Sequence, residues 1–125
     1  MGITLDTGAL IALERRDRRM TAIWQVAMED GVRITVPAPV LAEWWRGQRG
    51  PMAKVADGVH VEPMVRETSE AIGLVLAKLA RATVVDVAVV VSAASRGDVI
   101  YTSDVHDLAR IRDALFPGVR ILGVP

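Results

Sequence analysis

Short β-branched runs that recur between longer helical patterns constrain this chain more than any other feature. Ile3-Thr4-Leu5 stops at Asp6-Thr7, both good helix-capping types, and residues 9–13 continue as an apolar run into a charged stretch over 14–19. That reads as strand, turn, helix. Residues 20–30 fit a second helix, with Ile23, Trp24, Val26 and Ala27 on its apolar side and Gly31 as its stop. Residues 32–36 are a β-branched run closed by Pro37. Pro39 then suits a first helical turn, and Val40, Leu41, Trp44 and Trp45 form a stripe on a helix that also carries Glu43. Residues 59–63 predict a strand, and 65–80 a long helix in which Ile72, Leu76 and Leu79 keep helical spacing. The segment 83–95 holds six Val, which favour strands, yet it is too long for one, turns Ala-rich and ends at Arg96-Gly97. We read it as a buried helix. A strand over 99–102, a helix over 105–115 ended by Pro117-Gly118, and a strand over 120–124 complete the order.

Parallel neighbours need a crossover and helices supply it, so this alternation implies an α/β fold in three layers: a mostly parallel central sheet with helices on both faces. No repeat or linker-like tract divides the chain, and a single domain over residues 1–125 is expected. With 51% hydrophobic residues it can bury a core unaided, and with no Cys it has neither disulfides nor thiolate zinc sites. No stretch approaches the roughly 18 apolar residues of a membrane span. A cytoplasmic protein with no membrane partner is expected.

In open parallel sheets ligands bind beyond the carboxyl ends of the strands. Asp6 and Asp104 follow two predicted strands, Glu43 lies inside a helix, and Asp86 interrupts a run of valines near a helix start; Asp107 comes one short step after Asp104. Each has a bland reading. Asp6 and Asp104 make good N-caps, Glu43 suits a solvent-facing helix surface, and Asp86 in a first turn gains under about 1 kcal/mol from the helix dipole. Together they suggest an oxygen-only site for Mg²⁺ or Mn²⁺, because hard cations take carboxylate and water ligands and a knot of like charges calls for a counter-ion. His60 and His106 lack the paired spacing of a zinc site and are expected in structural or surface roles.

Four segments in order, Asp6-Thr7-Gly8-Ala9-Leu10-Ile11-Ala12-Leu13, Leu41-Ala42-Glu43, Asp86-Val87-Ala88-Val89-Val90-Val91-Ser92-Ala93-Ala94 and Thr102-Ser103-Asp104-Val105-His106-Asp107-Leu108, span nearly the whole chain. This ordered set resembles the PIN-domain ribonucleases, specifically the VapC-like toxins of bacterial toxin–antitoxin pairs. The resemblance implies that Asp6, Glu43, Asp86 and Asp104 are catalytic metal-binding acids holding Mg²⁺, with Mn²⁺ as a substitute. It makes Asp107 an auxiliary acid and Thr102 a polar neighbour. It further implies metal-assisted hydrolysis of RNA, such as a transfer RNA, a cognate antitoxin partner and a homodimer. Gly8 departs from the family pattern, where Ser or Asn is commoner, so a polar contact near the first acid is either missing or supplied by Thr7. Val87 replaces a commoner Ala, a matter of packing.

The chain carries 15 Lys and Arg against 15 Asp and Glu. With the five clustered acids set aside, 10 acids remain against 15 basic residues, an excess of 5 positive charges suited to guiding a polyanion. Arg15, Arg16 and Arg46 are the candidate RNA contacts, against a reading as solvated surface. Asp98 stands outside the acid set and serves as the neutral comparison. Trp44 and Trp45 are adjacent and cannot both face one way on a helix; either one fills the core while the other reaches a surface, or both are partly buried. Of two competing functions, a phosphoacceptor signalling domain needs a Lys after a late strand, and none follows Lys78. A catalytically impaired PIN-like binding module is the other, and Gly8 leaves it room.

Overall fold

The chain builds, in order, β1 (Ile3–Leu5), α1 (Thr7–Glu14), α2 (Arg18–Glu29), β2 (Ile34–Pro37), α3 (Ala38–Trp44), α4 (Pro51–Gly58), β3 (His60–Glu62), α5 (Arg66–Lys78), α6 (Val84–Arg96), β4 (Val99–Thr102), α7 (Val105–Leu115) and β5 (Arg120–Gly123). The structure is a computed structural model and describes residues 1–124. Its strands lie in the order β3-β2-β1-β4-β5, and every pairing is parallel. The expected α/β class holds, and the sheet is parallel throughout the described residues.

The strand order places a switch point beside β1. The chain steps outward from β1 to β2 and β3, then crosses back to add β4 and β5 on the other side. At such a point the loops leaving the two central strands diverge and leave a crevice at their carboxyl ends. Ile3 pairs with Val99 and Leu5 with Tyr101, so the ends of β1 and β4 sit level.

The core lies between sheet and helices, with Leu5, Val36 and Ile100 meeting Leu10, Ile72 and Leu108. The valine-rich segment is indeed a buried helix: Val87, Val89 and Val90 are fully enclosed. Its flanks settle the choice of helix over strand. The Thr83 hydroxyl accepts from the Asp86 amide at 3.2 Å, and Gly97 ends the helix with φ of 69°. That left-handed geometry suits glycine.

Several boundaries differ from the sequence reading. The second strand begins at Ile34 instead of residue 32 and takes in Pro37, whose missing N–H is tolerated at a strand end. α3 stops at Trp44, and Trp45 turns extended with ψ of 129°. Trp44 is therefore core, whereas Trp45 is 41% exposed with its ring edge-on to Trp44 at 6.1 Å. α4 has no counterpart in the sequence reading. It follows a Gly-rich polar stretch that reads as loop, buries no residue fully, and is anchored by Met52, Val55 and Ala56 against the core. Trp24 lies across Gly58, so α4 covers part of its ring.

Asp98 is not the bystander the sequence suggested. Only 5% exposed, its carboxylate accepts from the Gly2 amide (2.8 Å), the Thr4 hydroxyl (2.9 Å) and Arg96 Nε (3.0 Å). Arg96 also reaches the hydroxyls of Ser92 and Thr4 and pairs with Glu62. This ionic knot ties α6 to β1, β3 and the start of β4.

Candidate functional site

Asp6 follows the last residue of β1 and caps α1, its Oδ1 accepting from the Thr7 amide at 2.7 Å. Asp104 lies two residues beyond β4 and caps α7, accepting from the Asp107 amide at 3.4 Å. Both bland readings are thus correct as local structure, and the switch point still brings the two acids together. Thr102 joins them. It is fully buried at the end of β4, donates its hydroxyl to Asp6 Oδ2 at 2.8 Å and accepts from the Asp104 amide at 2.9 Å.

Glu43 arrives from α3, on the β2 side of the crevice. It is exposed, and the Thr7 hydroxyl donates to its Oε1 at 2.5 Å. The polar contact that Gly8 cannot make is therefore made by Thr7, one residue earlier. Asp86 comes from the first turn of α6. Only Gly97 and Asp98 separate the far end of that helix from β4, so α6 runs back along the sheet and returns its amino end to the carboxyl edge.

Charge interactions follow from this placement. Burial raises the Asp6 pKa above the ordinary carboxylate value; hydrogen bonds from Thr102 and Thr7 oppose the shift, and the charges of Glu43 and Asp104 add to it. Asp86 is pushed up to about 6, first by burial and then by the charge of Asp6, with smaller contributions from Asp107 and Asp104 against a lowering contact with Thr83. The acids named from the sequence thus feel one another across segments far apart in the chain. Asp107 belongs at the margin of the set through its effect on Asp86.

The comparisons with known proteins bear on this architecture. No protein-family profile and no curated protein matches the sequence. Among solved structures, the whole chain superposes on 100% of a chain of VapBC2 from Rickettsia felis, bound to a DNA fragment from their promoter, with TM-score 0.73 and 13% identity. It also superposes over 98% of its length on 98% of a chain of DNA-bound VapBC from Salmonella typhimurium, with TM-score 0.70 and 20% identity. The fold is PIN-like. At such identities the likeness establishes architecture and leaves chemistry to the side chains.

In this PIN-like chain the donor set suits a hard cation in kind, since every ionisable group drawn together is a carboxylate and two of them bear raised pKa values that a counter-ion would relieve. Among the described residues no three His, Asp or Glu groups close into a ready-made ion cage. The charges of these acids act on one another, and Asp6, Asp86 and Asp104, with Glu43 beside Asp6, are the residues that could hold an ion together with water. Mg²⁺ binds in this way, keeping several waters and few carboxylates.

Among the described residues the three candidate arginines form no ion pair with these acids. Arg15 and Arg16 lie past the carboxyl end of α1, so the length of the helix, about 12 Å, separates them from its Asp6 cap. Arg46 is exposed beyond α3 and donates to the Trp45 carbonyl at 2.7 Å. His60 and His106 are exposed. Thr83 is a site residue the sequence reading passed over, although its place three residues before Asp86 is a capping signature.

Proposed function

We propose that this PIN-like chain is the toxin component of a toxin–antitoxin pair and a divalent-metal-dependent endoribonuclease. The observation that carries the reading is that Thr102 at the end of β4 bonds both Asp6 and the Asp104 backbone, with Asp86, raised by burial and then by the charge of Asp6, as their neighbour from a third segment. A bound Mg²⁺ would supply Lewis-acid stabilisation of the phosphodiester and lower the pKa of water. Asp6, Glu43, Asp86 and Asp104 would hold it. Thr102 fixes Asp6 relative to Asp104, and Thr7 fixes Glu43, so that these side chains are oriented before substrate arrives. One carboxylate of the set accepts the proton of the attacking water. The new bond forms from water oxygen to phosphorus, the bond to the 3′-oxygen breaks, that oxygen takes a proton from solvent, and the products are a 5′-phosphate and a 3′-hydroxyl.

RNA as substrate, an antitoxin whose tail covers the acid crevice, action in the cytoplasm and pairing with a second copy all belong to this reading. They are supported by the resemblance in the four acid-bearing segments and by the fold shared with VapBC structures. Among the described residues no helix is long and apolar enough to cross a membrane.

Purified chain should cut RNA in Mg²⁺ or Mn²⁺ and leave 5′-phosphates, while EDTA should abolish cutting. Products ending in 2′,3′-cyclic phosphate, formed equally well in EDTA, would overturn the assignment. The open arrangement of the acids favours one competing reading, a PIN-like module that binds without cutting. That module would show neither cleavage nor a rise in melting temperature with Mn²⁺.

A further inference from the structure

Gly8 is the second residue of α1, and the space in which its side chain would stand is filled from the opposite loop. A Cβ at this position would lie 1.9 Å from Ser103 Oγ, 2.7 Å from Ser103 Cβ and 2.9 Å from the Ser103 amide nitrogen. The absent side chain and the serine therefore form a fitted pair: α1 can approach the β4–α7 loop this closely only because residue 8 has no side chain. Ser103 sits in sequence between Thr102 and Asp104, and in space against the residue that follows Thr7.

The hydroxyls around the acids differ in what they are free to do. Thr102 has spent its one proton on Asp6 and Thr7 has spent its own on Glu43. Thr83 caps α6 and is engaged with Asp86. Ser103 is exposed, and among the described residues its hydroxyl makes no hydrogen bond to any of these acids. The crevice is lined by anions, and an anionic substrate approaching it needs neutral or positive donors. Arg15, Arg16 and Arg46 do not reach the acids.

We propose that Ser103 is a substrate-contacting residue whose hydroxyl donates to a non-bridging phosphate oxygen of the RNA. This role rests on the nuclease reading above and assigns a phosphate contact within it. Gly8 acts through Ser103, as a positioning residue that keeps the space open.

The test compares the parent with Ser103→Ala in three measurements. These are the rise in melting temperature with Mn²⁺, binding of a labelled oligoribonucleotide by anisotropy in Ca²⁺, and kcat/KM for its cleavage in Mg²⁺. Ser103→Ala should keep the parent's melting temperature in EDTA and its full response to Mn²⁺. Its oligoribonucleotide affinity and its kcat/KM should each fall about tenfold, the effect of one lost hydrogen bond to a charged group. Gly8→Ala should melt lower and lose affinity by a similar factor. Gly8→Ala with Ser103→Gly removes the two closest contacts and leaves the one to the backbone nitrogen, so it should recover part of the stability and none of the affinity.

Unchanged affinity and kcat/KM in Ser103→Ala would overturn the inference and leave the nuclease reading intact. Loss of the Mn²⁺ response in Ser103→Ala would overturn it too, by placing the hydroxyl in the support of the acids. A parent that neither binds nor cuts RNA would remove the nuclease reading and this inference with it.

Discussion

At the scale of single residues, Asp86 sets two opposing effects against each other. Its carboxylate in the first turn of α6 gains about 0.3–1 kcal/mol from the helix dipole. Against this stands a pKa raised from 3.8 to about 6, which at about 1.4 kcal/mol per unit, reduced by roughly half because the group is partly exposed, costs about 1–2 kcal/mol when ionised. The second effect is larger. Asp86→Asn should therefore raise the metal-free melting temperature by a few degrees, whereas exposed Asp57→Asn should leave it unchanged within about 1 °C. The same shift fixes a pH dependence. Between about pH 4 and 6 the folded chain holds a proton at Asp86 that the unfolded chain has released, so stability in EDTA falls as pH rises through that window. Asp6, also raised, works in the same direction. Urea titrations of parent and Asp86→Asn at pH 4, 5, 6 and 7 should show the slope flattened in the variant. Asp98→Asn should behave in the opposite way. Its carboxylate accepts from three donors in a buried place, and the amide would turn a donor toward one of them, with a loss of about 2–4 kcal/mol by urea titration.

At the scale of elements, the site depends on helix ends. Asp6, Asp86 and Asp104 all lie at or in the first turn of a helix, and the same side chains that end strands and start helices make the charge cluster. Their positions were legible because capping residues after β-branched runs are strong local signals. The α6 helix was legible by its length and its Arg96-Gly97 stop against the strand preference of its valines. α4 was not, because a short helix with no fully buried residue leaves no periodic apolar signature, and its start at Gly50-Pro51 also fits a turn. Trp45 was drawn into the α3 stripe because periodicity cannot see where a backbone leaves the helix. The role of Asp98 was hidden for another reason: its partners Gly2 and Thr4, more than 90 residues away, meet it only after β1 and β4 pair. Gly97 carries the backbone constraint of the α6–β4 link. Gly97→Ala forces a side chain into φ of 69° and should cost about 1 kcal/mol in denaturant midpoint stability.

At the scale of the whole molecule, like charges gathered at one edge leave a positive excess elsewhere, and ligand binding there should stabilise the entire fold. Mn²⁺ in hundredfold excess over its dissociation constant should add about 2.7 kcal/mol to unfolding, and Asp104→Asn should lose most of that gain by thermal unfolding. Leu74 (67% exposed) on α5, Val26 (55%) on α2 and Trp45 (41%) just past α3 leave apolar surface exposed. Light scattering should accordingly find a mass above that of one chain at high concentration, and a strictly monomeric mass would count against the expected pairing. The parallel sheet and the crevice position were legible from strand–helix alternation. The strand order was not, since a one-dimensional pattern leaves open on which side of β1 each later strand is added. That order has a consequence for the chain during its own synthesis. β1 is among the first segments made, yet its neighbour β4 and the acid beyond it are made close to 100 residues later, which at about 5–20 residues per second is roughly 5–20 s. Until then Asp6 has no Thr102 to orient it and no Asp104 opposite. A partly made chain, or one cut short before β4, carries most of the acids but lacks the Thr102 contact and the Asp104 carboxylate that complete their arrangement, so any property of the assembled cluster appears only when synthesis is nearly finished.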